Sequence, residues 1–245
     1  MMYPLQKGLR PLIIPPKVAA VAPSEPLILP ETTTLTAFDI ASAAYTPQSV
    51  AVHGGVAYCG VTYSSYSRYW NYDLITGVKS ATQYIMSSSM YDTLILDGEL
   101  YNSQSGSFRV YDLLTGTFKR TVGHASSYIR AATTDGTNLI MWDYAGGATP
   151  RLRIMDTSGV EISNVEWDSG YTPHSLCWDG SNLITSAGTT IKVHDGLSTT
   201  VTRSFSTIGG ITVVGLDYIP ETGDLVEVTH NDRLVHRFGV GGIRP

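Results

Sequence analysis

Apolar and polar residues alternate along most of this chain with a period of two, in short runs broken by glycine and aspartate. Phe108–Tyr111 alternates, Asp112 to Gly116 supplies a turn, and Phe118–Val122 alternates again, so Ser107–Gly123 reads as strand, tight turn, strand. The same pattern occurs earlier at Arg68–Val78 and returns more loosely at Leu152–Val160 and Ile191–Thr199. Each unit predicts an apolar strand, a glycine turn, a second strand, a loop, a third strand ending near Asp, a turn and a fourth strand. The first-turn glycines Gly55, Gly98, Gly136, Gly180 and Gly223 are separated by 43, 38, 44 and 43 residues. The third-strand aspartates Asp73, Asp112, Asp156 and Asp195 are separated by 39, 44 and 39, and Arg237 takes this place in the last unit. Two independent markers agree on a period of about 40 residues with four strands per unit, which predicts propeller blades.

Five such units fit, at 48–83, 90–123, 129–167, 173–206 and 211–240. The fifth stops after its third strand, Arg233–Phe238, while an unmatched alternating strand, Thr33–Ile40, precedes the first. The ring closes if this early strand becomes the fourth strand of the last blade, because two open edges then pair. The expected fold is all-β: a five-bladed β-propeller over residues 33–245, with six blades as the alternative.

Residues 1–32 are a segment apart. Pro4, Pro11, Pro15, Pro16, Pro23, Pro26 and Pro30 exclude a long helix or a central strand, so an extended arm is expected. Its apolar side chains, among them Leu9, Leu12, Ile13, Ile14, Val18, Leu27 and Ile28, are too many for a freely solvated tail. Two placements stay open: packed along its own domain, or docked on another subunit as a partner-binding arm.

Charge sharpens this division. The chain carries a formal −5, which gives no reason to expect nucleic acid as a partner. Lys7, Arg10 and Lys17 against Glu25 leave residues 1–30 at +2 and the remainder at −7. Cys59 and Cys177 each fall inside an expected strand and read as buried free thiols, consistent with a reducing compartment. The apolar run Pro11–Ala22 is broken by Pro15, Pro16 and Lys17, so neither a secretory signal nor a membrane span is expected.

The D-L-I-T-G-V and D-L-L-T-G-T-F turns resemble the Asp-x-x-Thr-Gly turns of propellers related to the quinoprotein, YVTN and WD40 groups, over about residues 48–240. That resemblance implies architecture and no chemistry. Trp142-Asp143 and Trp178-Asp179 stand in a second and a first strand, away from the third-strand position they hold in WD40 blades, and no regular Trp follows the Thr-Gly turn to dock a quinone. An acidic propeller behind an apolar, Pro-rich arm also resembles structural proteins of bacteriophage tails and virions. This second resemblance implies a virion component made in the host cytoplasm and assembled with other protein subunits.

The residues themselves offer little for catalysis. The repeated aspartates suit turns, and Asp97, Asp135 and Asp179 precede glycine in hairpins. Glu166, Asp168 and Asp217 remain as candidates for a glycosidase-type carboxylate pair. Six histidines stand singly, without metal-ligand spacing, and no cofactor fingerprint occurs. No enzyme activity, cofactor or metal is expected. Loops after the first and third strands are expected to be short, and those after the second and fourth to be longer and to share one face. Tyr66, Tyr69, Tyr128, Tyr144, Trp167 and Tyr171 fall near those loops and make a candidate recognition face for a protein, a glycan or a host surface. The leading expectation is a non-enzymatic assembly protein. A lectin-like binding propeller is the alternative, and a glycoside hydrolase a third.

Overall fold

The computed structural model describes residues 33–39, 45–63, 66–86, 90–124, 128–144, 149–167, 172–207, 210–230 and 233–239. The arm, with Leu9, Leu12, Ile13, Ile14, Val18, Leu27 and Ile28, lies outside them, as do Asp168 and Tyr171.

Among the described residues, twenty strands form five four-stranded antiparallel sheets. After β1 (Thr33–Asp39), the first blade holds β2 (Thr46–His53), β3 (Val56–Tyr63), β4 (Tyr66–Asp73) and β5 (Lys79–Met86). The second holds β6 (Thr93–Leu96), β7 (Glu99–Gln104), β8 (Ser107–Asp112) and β9 (Phe118–Gly123). The third is β10 (Ile129–Thr134), β11 (Leu139–Asp143), β12 (Arg151–Met155) and β13 (Glu161–Glu166). The fourth is β14 (Ser175–Trp178), β15 (Leu183–Ala187), β16 (Thr190–His194) and β17 (Val201–Ser206). In the fifth, β18 (Val213–Ile219), β19 (Asp224–Thr229) and β20 (Leu234–Gly239) are completed by β1. The closing register sets Thr36 opposite Arg237, Ala37 opposite His236, Phe38 opposite Val235 and Asp39 opposite Leu234. The fold is the expected five-bladed propeller, closed by its first strand.

Burial grades from the axis outwards. Every residue of β11 and β19 is buried, whereas all six residues of β13 are exposed. The core therefore lies between blades, in five apolar clusters, one at each interface. Blades one and two meet through Tyr58, Tyr69, Tyr84 and Met90 against Leu100, Tyr111 and Leu113. The seam between the last blade and the first is equally apolar, with Val226, Val228 and Val235 against Val50, Val61, Trp70 and Leu74. Ring closure is thus a hydrophobic interface as well as a strand pairing.

The repeated turn residues do local work. Asp73 Oδ1 accepts from the Ile75 amide at 3.0 Å, the Thr76 amide at 2.7 Å and the Thr76 hydroxyl at 2.8 Å. Asp112 repeats this with Leu114 and Thr115, and Asp156 uses Ser158 and Val160. The turn then docks on the blade's first hairpin: the Leu74 amide donates to Gly55 O and the Leu113 amide to Gly98 O, each at 3.0 Å. The two periodic markers therefore touch, which is why they share one period.

One expectation about loops is corrected. Second and third strands are joined by only two residues at Ser105–Gly106 and Gly188–Thr189, while the third-to-fourth turns span 74–78, 113–117, 156–160 and 195–200. The Asp-x-x-Thr-Gly turn needs those extra residues to fold back onto the first hairpin, whereas a tight hairpin suffices between the second and third strands of blades two and four. In the third blade, where β11 ends at Asp143 and β12 begins at Arg151, the longer connection is as expected.

Candidate functional site

The five innermost strands, β2, β6, β10, β14 and β18, line the axis and bring polar side chains from distant parts of the chain together. Ser49 Oγ of blade one lies 2.9 Å from Thr93 Oγ1 of blade two, and the Tyr69 hydroxyl closes on the same Thr93 oxygen. Asp92 is wholly enclosed. Its Oδ1 accepts from the Thr93 amide at 2.9 Å; its Oδ2 accepts from the Ala132 amide of blade three at 2.9 Å and from Ser175 Oγ of blade four at 3.2 Å. Ser175 Oγ in turn accepts from the Leu216 amide of blade five at 3.0 Å. Asp217 completes the circuit, because its Oδ2 accepts from the Val52 amide of blade one at 2.6 Å while Oδ1 accepts from the Tyr218 amide at 2.8 Å. Hydrogen bonds to these side chains therefore close a circuit through blades one, two, four and five around the axis, and Asp92 ties blade three to it.

Enclosure controls the charge of this belt. It pushes the Asp217 carboxyl up to about 7, against the two amides that favour the ionised form, and it raises Asp92 well above the usual carboxylate range. Beside Asp217 opens an axial cavity of about 290 Å³, to which every blade contributes. Thr93, Thr133, Trp178, Asp217 and Tyr218 line it, and Asp135 and Asp179 stand at the first-hairpin end. Both of those rim carboxylates are engaged in their own turns, Asp135 by the Thr137 and Asn138 amides and Asp179 by those of Ser181 and Asn182.

Of the carboxylates singled out in the sequence, the two that lie among the described residues do not converge. Glu166 is exposed on the outer strand β13, 3.6 Å from Arg151, whereas Asp217 lies on the innermost strand of another blade. His194 is buried with Nε2 3.0 Å from Thr185 Oγ1, and Cys59 and Cys177 are buried free thiols. Among the described residues no three His, Cys, Asp or Glu side chains gather as a metal site, and no helix is long and apolar enough to cross a membrane.

The candidate recognition residues divide. Tyr66 is half-buried with the Arg68 guanidinium 5.3 Å from its ring centre, Tyr128 packs 4.9 Å from Tyr91, and Tyr144 is exposed while stacked 5.5 Å from Trp142. Tyr69 and Trp167 are corrected to interior residues. Tyr69 reaches inward to the axial belt, and Trp167 is sealed 4.9 Å from His194 at the interface of blades three and four. Alternation marks which residues share a sheet face, and both faces of a blade are covered by neighbours.

Sequence reasoning passed over Ser49, Asp92, Thr93 and Ser175. Their one signal is a Ser, Thr or Asp at or near the start of the first strand in three of the blades.

No family model matches the chain, and no curated protein matches it either. Solved structures do. The chain is similar to the glutaminyl cyclase of Myxococcus xanthus, at 12% identity over 84% of this chain and 95% of that one, with a TM-score of 0.64. It is also similar to the Cps50 (Swd1) β-propeller domain of Myceliophteria thermophila, at 10% identity over 85% and 99% of the two chains, with a TM-score of 0.53. At such identities the likeness is one of fold. The protein is an all-β, five-bladed propeller.

Proposed function

We propose that this protein is a non-enzymatic assembly component, a propeller disc tethered to a larger particle of the bacteriophage-tail or virion kind by its arm. The observation that carries the proposal is how the axial polar groups are used. Asp92 and Asp217 accept hydrogen bonds from backbone amides on both carboxylate oxygens, and in each the Oδ2 bond, to the Ala132 amide and to the Val52 amide, crosses to another blade. Groups so occupied serve the ring rather than a substrate. The likeness to a glutaminyl cyclase adds no activity, because it rests on 12% identity.

A chain lacking residues 1–30 tests the proposal. It is expected to keep the far-ultraviolet circular dichroism of the intact ring and to lose incorporation into the particle; normal incorporation would overturn the tether. A second reading, a lectin-like propeller that binds carbohydrate or a host surface, is favoured by the partly exposed rings of Tyr66, Tyr128 and Tyr144. Tyr144→Ala is expected to weaken glycan binding on that reading and to leave it unchanged on the first.

A further inference from the structure

In the first four blades the outer corner, where the third strand turns into the fourth, carries exposed apolar side chains. Ile75 is 76% and Val78 65% exposed in the first blade, and Leu114 is 84% and Phe118 51% exposed in the second. Val160 stands at the same corner of the third blade and Val201 of the fourth, both exposed. Scattered surface apolar residues are ordinary, but six of the nine large apolar side chains exposed among the described residues gather at these four corners, at neighbouring positions within six residues of the turn Asp or its counterpart. The turn itself does not require them. Leu74 and Leu113 supply its buried anchor, and the residue after each points outwards.

The corners are also firmly held. The Tyr84 hydroxyl of blade one donates to Leu113 O at 2.9 Å and Leu114 O at 3.0 Å, fixing the second corner against the first blade. A shallow concavity of about 430 Å³ lined by Val56, Tyr72, Thr76, Val78 and Lys79 opens at the first corner. At the fifth corner no turn exists. There β1 begins, with Thr33 opposite Gly239, at the place where the other four blades show their apolar side chains.

We propose that these corners are the seat for the arm of a second copy of this chain. The inference rests on the reading of the arm as an intermolecular tether and names its receptor. Residues 1–30 carry +2 and the remainder −7, so arm and disc are complementary in charge as well as in apolar character. At ~3.1 Å per residue, an extended arm of this length reaches ~100 Å, enough to cross several blades. A copy whose arm occupies its neighbour's corners leaves its own corners open to the next, so the contact is heterologous and propagates into a ring or filament.

Full-length Ile13→Cys and Leu114→Cys chains, mixed under mild oxidation, test this; the native thiols are buried and stay out of the exchange. A mixed disulfide-linked dimer is expected, falling roughly tenfold or more when Ile75→Asp and Phe118→Asp are added to the Leu114→Cys chain. These positions are exposed, and circular dichroism verifies that the ring persists. Absence of the mixed dimer overturns the proposal. So does a doubly substituted Ile13→Cys/Leu114→Cys chain that closes on itself at concentrations where the mixture stays unlinked. An Ile13→Asp chain separates the two ideas. If it leaves the particle although the unsubstituted chain never self-associates, the receptor is wrong and the tether stands; if it stays in the particle, the tether is wrong too.

Discussion

Single residues set how firmly this ring closes in two ways, by steric closeness and by an enclosed carboxyl. Gly215 shows the first. A Cβ there would sit 2.6 Å from the Val50 nitrogen and 2.7 Å from the Ser49 carbonyl carbon, both backbone atoms of the neighbouring blade. Gly215→Ala must therefore push the last blade from the first, at an expected cost of about 1–3 kcal/mol. Gly98→Ala meets nothing within 4 Å but forces an alanine to a φ of +71°, costing about 1–2 kcal/mol of local strain. Urea unfolding distinguishes them, because only Gly215→Ala should also loosen the seam and promote association through opened edges. Asp217 shows the second. Its carboxyl is raised to about 7 in the fold from an ordinary 3.8, so between those values the folded chain binds more protons than the unfolded one and this contribution to stability falls as pH rises. Asp92 acts with the same sign, while His194, lowered to about 4 by burial, opposes both below about 6.5, the ordinary histidine value. The clean comparison is therefore with Asp217→Asn: relative to the unsubstituted chain its urea midpoint is expected to rise from pH 5 to pH 8. A constant difference would mean that Asp217 is ionised throughout.

At the scale of elements, closure by β1 was legible because strands can be counted. Four units end in a fourth strand, the fifth lacks one, and an unmatched strand waits at the front. The turn aspartates were legible too, since Asp73 and Asp112 bond within three residues and such chemistry is local. The axial belt was not. Ser49 meets Thr93 across 44 residues and Asp92 meets Ala132 across 40, through strands whose apolar runs look alike, and nothing local marks which polar residue faces the axis. Burial of Tyr69 and Trp167 escaped for a related reason: placing a residue near a loop does not say whether its ring points out or between blades. Since β1 supplies the outer edge of the fifth blade, two truncations should behave differently. Removing residues 1–32 keeps β1 and should leave the melting temperature unchanged. Removing residues 1–44 strips the closing strand, exposes the edge of β20 and should lower the melting temperature by several degrees with aggregation, as expected for an uncovered strand edge. Equal melting temperatures for the two would show that the pairing contributes nothing to closure.

For the whole molecule, the graded burial implies a graded resistance to opening. The outer strand β13 is exposed at all six positions and pairs on one side only, with β12. It can therefore separate without disturbing an interface between blades. β11 and β19 are buried throughout and paired on both sides, so freeing their amides requires breaking the apolar clusters that join one blade to the next. Because those clusters form an unbroken circle, loosening one interface loads its neighbours, and the inner strands should open together. Amide exchange followed by mass spectrometry is expected to show peptides from β11 and β19 exchanging at least ~100-fold more slowly than those from β13, a difference of about 2.7 kcal/mol. In the chain without residues 1–44 the protection of β19 should fall first, being nearest the broken seam, while that of β11 falls less. Uniform loss across both strands would instead make the ring a single cooperative unit, in which the closing strand protects distant blades as strongly as its own.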